Sequence, residues 1–224
     1  MTILYVNGCS YTANLLLHKH ARYPSLLAWH LKWHLRDNSW PGSSNARIIR
    51  CAYKDCLKIK NNSSEKIFAL VQLTHLFRTE IFTPNIENND WLDLHDPFSS
   101  IKPTNEDLSH EQRQYADGFF KINTNESLML QLMPQILGLI AFFKQHNIDY
   151  YIYFGPKQDF RGVQNNILFQ ELQKDPGVVD LIEFNMLDLT GSQQHPTDGG
   201  MQQIFEFFYE KLTYFANQCD TTTF

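Results

Sequence analysis

The chain of 224 residues has no CxxC pair and no dense cysteine framework, its four cysteines standing at positions 9, 51, 56 and 219. Such sparse usage excludes a disulfide scaffold and reads as a reduced, intracellular chain with room for one disulfide at most. A basic excess is missing as well. With 24 acidic against 19 basic side chains and a net charge of −5, the sequence lacks the basic face of a nucleic-acid or anionic-membrane binder. No Gly-rich dinucleotide or phosphate loop is present, so no cofactor is expected. The opening Met1-Thr2-Ile3-Leu4-Tyr5-Val6 has no basic region, and the most apolar stretch, 136–143, falls short of the ~20 residues of a spanning helix. The expectation is a soluble protein, cytoplasmic in its producing or host cell, without membrane or nucleic-acid partners.

What is present is a hydrophobic content of 43%, enough at this length to bury roughly 70% of the unfolded surface in one domain. Ile3-Leu4-Tyr5-Val6 reads as a strand buried on both faces. Helical periodicity predicts a helix over 23–36 and another over 44–58. A strand is expected over 67–73, a helix over 126–146, a strand over 149–154, a further strand over 178–184, and a last helix over 198–216. Residues 78–125, with Pro84, Pro97, Pro103 and scattered aromatics, read as an irregular insertion or lid packed on the domain. Strands alternating with helices predict a three-layer α/β domain around a parallel sheet, with its ligand site beyond the carboxyl ends of the strands.

Three turns at those ends carry chemistry. Asn7-Gly8-Cys9-Ser10-Tyr11-Thr12 follows the first strand and presents a serine hydroxyl at the sheet edge. Trp40-Pro41-Gly42-Ser43-Ser44-Asn45 opens a helix with free backbone N–H groups suited to an oxyanion. His195-Pro196 precedes the last helix and supplies a candidate base.

With these residues the sequence resembles the SGNH (GDSL-type) hydrolases. It is most similar to a divergent group of phages and bacteria with a GCSYT or GCSFT opening and a later Gly-Ser-Ser-Asn turn with a trailing arginine. Here those signatures are Gly8-Cys9-Ser10-Tyr11-Thr12 and Gly42-Ser43-Ser44-Asn45-Ala46-Arg47-Ile48-Ile49-Arg50. The resemblance spans nearly the whole chain outside 78–125. It implies a three-layer sandwich with a five-stranded parallel sheet in flavodoxin-like order and the hydrolysis of a small-molecule or carbohydrate ester. It further implies Ser10 as nucleophile, His195 as base, and the backbone N–H groups of Ser10 and Gly42 as oxyanion donors.

The family pattern is broken at three places: Cys9 stands for the first aspartate, Leu76 falls in the asparagine turn, and Ser192 stands for the aspartate before the histidine. Asn45, Gln72 or Thr74 is then left to supply the side-chain oxyanion donor. His195 is left to act in a dyad, or to be oriented by a backbone carbonyl or by Asp188. The same losses carry a second reading, a catalytically impaired binding or viral structural module associated with a virion.

Among other residues, Arg47, Arg50 and Arg78 are surface charges or, at a strand end, anion-recognising groups, and Arg78 with Glu80 makes a candidate rim ion pair. His30 and His34, at i and i+4, lack a third ligand and the intervening glutamate, and His18 and His20 likewise; no metal site is expected. Cys9, Cys51 and Cys56 read as small core residues. Oligomeric state is left open.

Overall fold

A computed structural model describes residues 1–13, 19–82, 91–94, 109–155, 160–179 and 198–220. Its elements are β1 (Thr2–Asn7), α1 (Ser10–Ala13), a 3₁₀ turn (Lys19–Ala21), α2 (Tyr23–Leu31), β2 (His34–Asp37), α3 (Asn45–Asn62) and β3 (Lys66–Leu73). There follow β4 (Thr79–Phe82), β5 (Trp91–Leu94), α4 (His110–Ile122), α5 (Asn125–Gln145), β6 (Asp149–Phe154), α6 (Ile167–Lys174) and α7 (Asp198–Asp220).

The strands β2-β1-β3-β6 form a parallel sheet in that order. Its central strands are apolar on both faces, and side-chain alternation sorts them into two cores. Tyr5, Ile67, Ala69, Val71, Ile152 and Phe154 point to one core, shared with Ile48 and Ala52 of α3 and Met133 and Ile140 of α5. Leu4, Val6, Phe68, Leu70 and Tyr153 point to the other, filled by Tyr23 and Leu27 of α2 and Ile204, Phe208 and Leu212 of α7. This is the expected three-layer α/β sandwich.

The sheet has four strands among the described residues, not five. Beside β6, Val178 makes a single parallel bridge to Ile152, and residues 180–197, which include most of the expected strand 178–184, lie outside the described residues. The approach to that bridge is held by Asp175, whose carboxylate accepts from Tyr150 Oη at 2.9 Å, Lys144 Nζ at 2.6 Å and the Gly177 N–H at 2.9 Å.

Two expectations are corrected. The helix over 23–36 ends at Leu31, because Lys32 adopts a left-handed φ of 57° and the Trp33 N–H turns back to the Ala28 carbonyl at 2.9 Å. Residues 34–37 then form the edge strand β2. This Schellman-type stop is commonly made by glycine, so a lysine there gives no sequence signal. The region 78–125 is not irregular throughout: β4 and β5 pair antiparallel and α4 carries a full capping box between Ser109 and Gln112. A further helix, α6, is capped by Asn166. By length and composition α5 could cross a membrane, but Leu132, Met133, Ile136, Leu139, Ile140 and Phe143 are buried in the core against the sheet.

Replacing Asp175 by alanine leaves the Tyr150 hydroxyl and the Gly177 N–H without their acceptor. A loss of about 2–3 kcal/mol is expected, read as a lower urea midpoint with an unchanged slope.

Candidate active site

The order β2-β1-β3 places a topological switch point between β1 and β3, where the connections leave in opposite directions and a crevice opens. The turns that follow these two strands hold most of the chemistry-bearing residues. Ser10 is the first residue of α1, directly beyond β1, and is 7% exposed. No described residue shares a hydrogen bond with its hydroxyl.

The Ser10 turn is fastened from below by Gln72 of β3. Its Oε1 accepts from the Cys9 N–H at 3.1 Å and from Thr12 Oγ1 at 2.9 Å, while its Nε2 donates to the Leu73 carbonyl at 2.5 Å. The contact is closed further by glycine: a Cβ on Gly8 would sit 2.6 Å from Thr12 Oγ1 and 2.8 Å from Gln72 Oε1. Because the Gln72 oxygen can only accept, Thr12 must donate to it. The Tyr23 hydroxyl then donates to Thr12 at 2.9 Å, and Tyr153 donates to Tyr23 at 2.6 Å. Burial pushes both phenols well above their ordinary value, so this chain stays protonated. Cys9 is buried, and its Sγ lies 3.4 Å from Gln72 Oε1.

The turn after β2 joins the first turn through the Asn38 N–H to the Val6 carbonyl at 2.9 Å and the Trp40 N–H to the Gly8 carbonyl at 3.0 Å. Gly42 has φ 85°, a left-handed value that a side chain would strain. Ser44 caps α3 by accepting from the Arg47 N–H at 3.1 Å. Arg47 Nη1 donates to Ser43 Oγ at 2.9 Å.

Asn45 ties this second turn to the end of β3. Its Oδ1 accepts from the Thr74 N–H at 2.7 Å, and its Nδ2 faces the Thr74 and His75 carbonyls at 3.2 and 3.4 Å. Thr74 Oγ1 is buried and has no partner among the described residues. Leu76 is buried, and the Tyr11 and His75 rings meet edge-to-face at 6.5 Å. Arg78 does not pair with Glu80, contrary to the rim ion pair considered from sequence, because the Glu80 carboxylate is taken by Arg50.

Ser10, Gly42, Asn45, Thr74 and Arg78 thus share one edge of the sheet. His195, Ser192 and Asp188 lie outside the described residues, as does His18. His30 packs its ring on Trp29, Phe205 and Tyr209, and His34 lies on β2, so the two share no helix face. The tyrosines of the buried chain were not foreseen as site residues. The usable signal was Gln72 itself, a polar residue inside an otherwise continuous apolar strand.

Gln72→Met removes the acceptor for the Cys9 N–H and is expected to cost about 2–3 kcal/mol. Gly8→Ala is expected to cost roughly 1–3 kcal/mol by crowding the same contact. Thermal melts of both variants check this, and melts within error of the parent would refute the fastening role of Gln72.

No family model and no curated protein sequence matches this chain. Solved structures do. The psychrotrophic esterase EstA from Pseudoalteromonas sp. superposes with a TM-score of 0.52 at 13% identity, covering 96% of this chain and 98% of that one. The protein TesA gives 0.50 at 13% identity, covering 95% and 98%. The acetyl xylan esterase Est2A from the rumen bacterium Butyrivibrio proteoclasticus gives 0.50 at 9% identity, covering 96% and 64%. At such identities the likeness is one of fold, and this chain has the α/β fold of these esterases.

Proposed function

We propose that this protein is a serine-dependent ester hydrolase acting on a small acyl or acetyl ester, of a simple alcohol or of a carbohydrate. The observation that carries the reading is the seat of Ser10: first in α1, at the β1/β3 switch point, with the Gly42 turn bonded alongside. The fold shared with esterases supports it.

In this mechanism Ser10 Oγ attacks the ester carbonyl carbon while His195 takes the hydroxyl proton. The backbone N–H groups of Ser10 and Gly42 donate to the oxyanion. The bond to the alcohol oxygen then breaks, and His195 returns its proton to the departing alkoxide. Water attacks the acyl-serine by the same route, releasing the acid and restoring Ser10. Asn45 enters as the residue that holds the second turn against Thr74, and an acidic orienter for His195 is not required if it works in a dyad. The competing reading, an impaired binding module, draws on the Asn45 amide, whose oxygen and nitrogen both face backbone groups.

Fluorophosphonate labelling and turnover of a short-chain nitrophenyl ester separate the two. The native chain is expected to do both, and Ser10→Ala is expected to lose labelling and at least about 1,000-fold in kcat, the scale on which triad members matter. Because His195 must be neutral to accept the proton, kcat/KM is expected to rise with pH as the imidazole loses its proton. A native protein that neither labels nor turns over the ester would leave the binding module standing.

A further inference from the structure

A small pocket of about 110 Å³ lies beside the site, lined by Asn45, Leu76, Arg78, Phe119, Gln131 and Gln135 among others. Arg78 is only 7% exposed, and its Nη1 is buried with no acceptor among the described residues. A guanidinium removed from water without an anion is costly, and buried arginines are ordinarily paired. The nearest acid in sequence, Glu80, is held by Arg50. No described residue lining the pocket is acidic. The pocket therefore combines one guanidinium with no acidic partner among the described residues and apolar walls.

Two residues relate the pocket to the proposed site. Asn45 lines it and also belongs to the Gly42 turn. Tyr11, next to Ser10, lies within range of the Arg78 charge, which opposes the burial that pushes its phenol up to about 12.

We propose that this pocket binds a carboxylate, so that the ester cleaved at Ser10 carries a carboxylate on a short apolar arm. The substrate assignment rests on the esterase reading above, whereas the binding site itself does not. One planar guanidinium matches the two oxygens of a carboxylate, and a single cation balances a monoanion. A phosphate dianion would call for more positive charge than the lining supplies. The apolar walls of Leu76 and Phe119 suit the hydrocarbon between carboxylate and ester.

The test pairs two esters of equal length, 4-nitrophenyl hemiglutarate and neutral 4-nitrophenyl valerate, and also titrates the Ser10→Ala protein with glutarate by calorimetry. A kcat/KM ratio of about 10- to 100-fold in favour of the hemiglutarate is expected, the size of a charge-assisted hydrogen-bonded pair. Arg78→Met is expected to bring the ratio to near one and to abolish glutarate binding. If that variant does not fold, Arg78→Lys keeps the charge without the fork and is expected to lower the ratio several-fold.

Equal turnover of both esters with no glutarate binding overturns the pocket assignment and leaves the esterase reading intact. Glutarate binding that depends on Arg78, with no turnover of either ester, overturns the esterase reading and upholds the pocket. Inorganic phosphate binding more tightly than glutarate at Arg78 overturns the choice of carboxylate.

Discussion

The hydrogen bonds of one buried amide, Gln72, decide where the chemistry-bearing end of this fold sits. Strand β3 delivers the side chain to the switch point, and there it takes the Cys9 N–H and the Thr12 hydroxyl. A buried acceptor of this kind is either fully used or costly. It is fully used, and the turn carrying Ser10 is set against β3 as a result. Gly8 is the complement of that amide, since any side chain there would occupy its space.

From this fastening the other turns are placed in sequence. The backbone of residues 38–40 bonds to Val6 and Gly8, so the Gly42 turn follows the Ser10 turn. Asn45 then bonds Thr74, so the end of β3 follows the Gly42 turn. Three loops far apart in the chain become one surface through these backbone bonds and through the side chains of Gln72 and Asn45, which are themselves spent in making the joins. The polar residues of the site therefore divide into those that build it, Gln72, Asn45 and Thr12, and those whose side-chain capacity no described residue uses up, Ser10, Thr74 and Arg78. Unused capacity in a buried position is what a ligand would satisfy, and on that ground Ser10 and Arg78 are read as chemistry and recognition.

Much of the fold was legible because its signals are local. The apolar runs of β1, β3 and β6 are too continuous for half-exposed strands, and the turns after β1 and β6 are marked by Asn7-Gly8 and Gly155-Pro156. β2 was hidden because its residues are mostly exposed and its preceding helix stops at a left-handed lysine, which carries no compositional mark. The hairpin of β4 and β5 was hidden by a region whose prolines and polar residues read as irregular. In the site, Ser10, Gly42 and the Arg78 strand end were legible as turn chemistry. The Tyr23–Tyr153 contact was not, because it spans 130 residues of sequence.

By itself the sequence determined the layer architecture, the two-faced burial of the central strands and the placing of serine and glycine at strand ends, because periodicity and turn residues act over a few neighbours. Only the tertiary structure decided which polar groups are consumed and which are left over. It assigned Gln72 and Asn45 to holding the turns together, gave Glu80 to Arg50 and left Arg78 Nη1 buried with no partner among the described residues. That division depends on which segments meet across the sheet, and hydrogen-bond capacity is settled only where donors and acceptors from distant segments are brought within about 3 Å of each other.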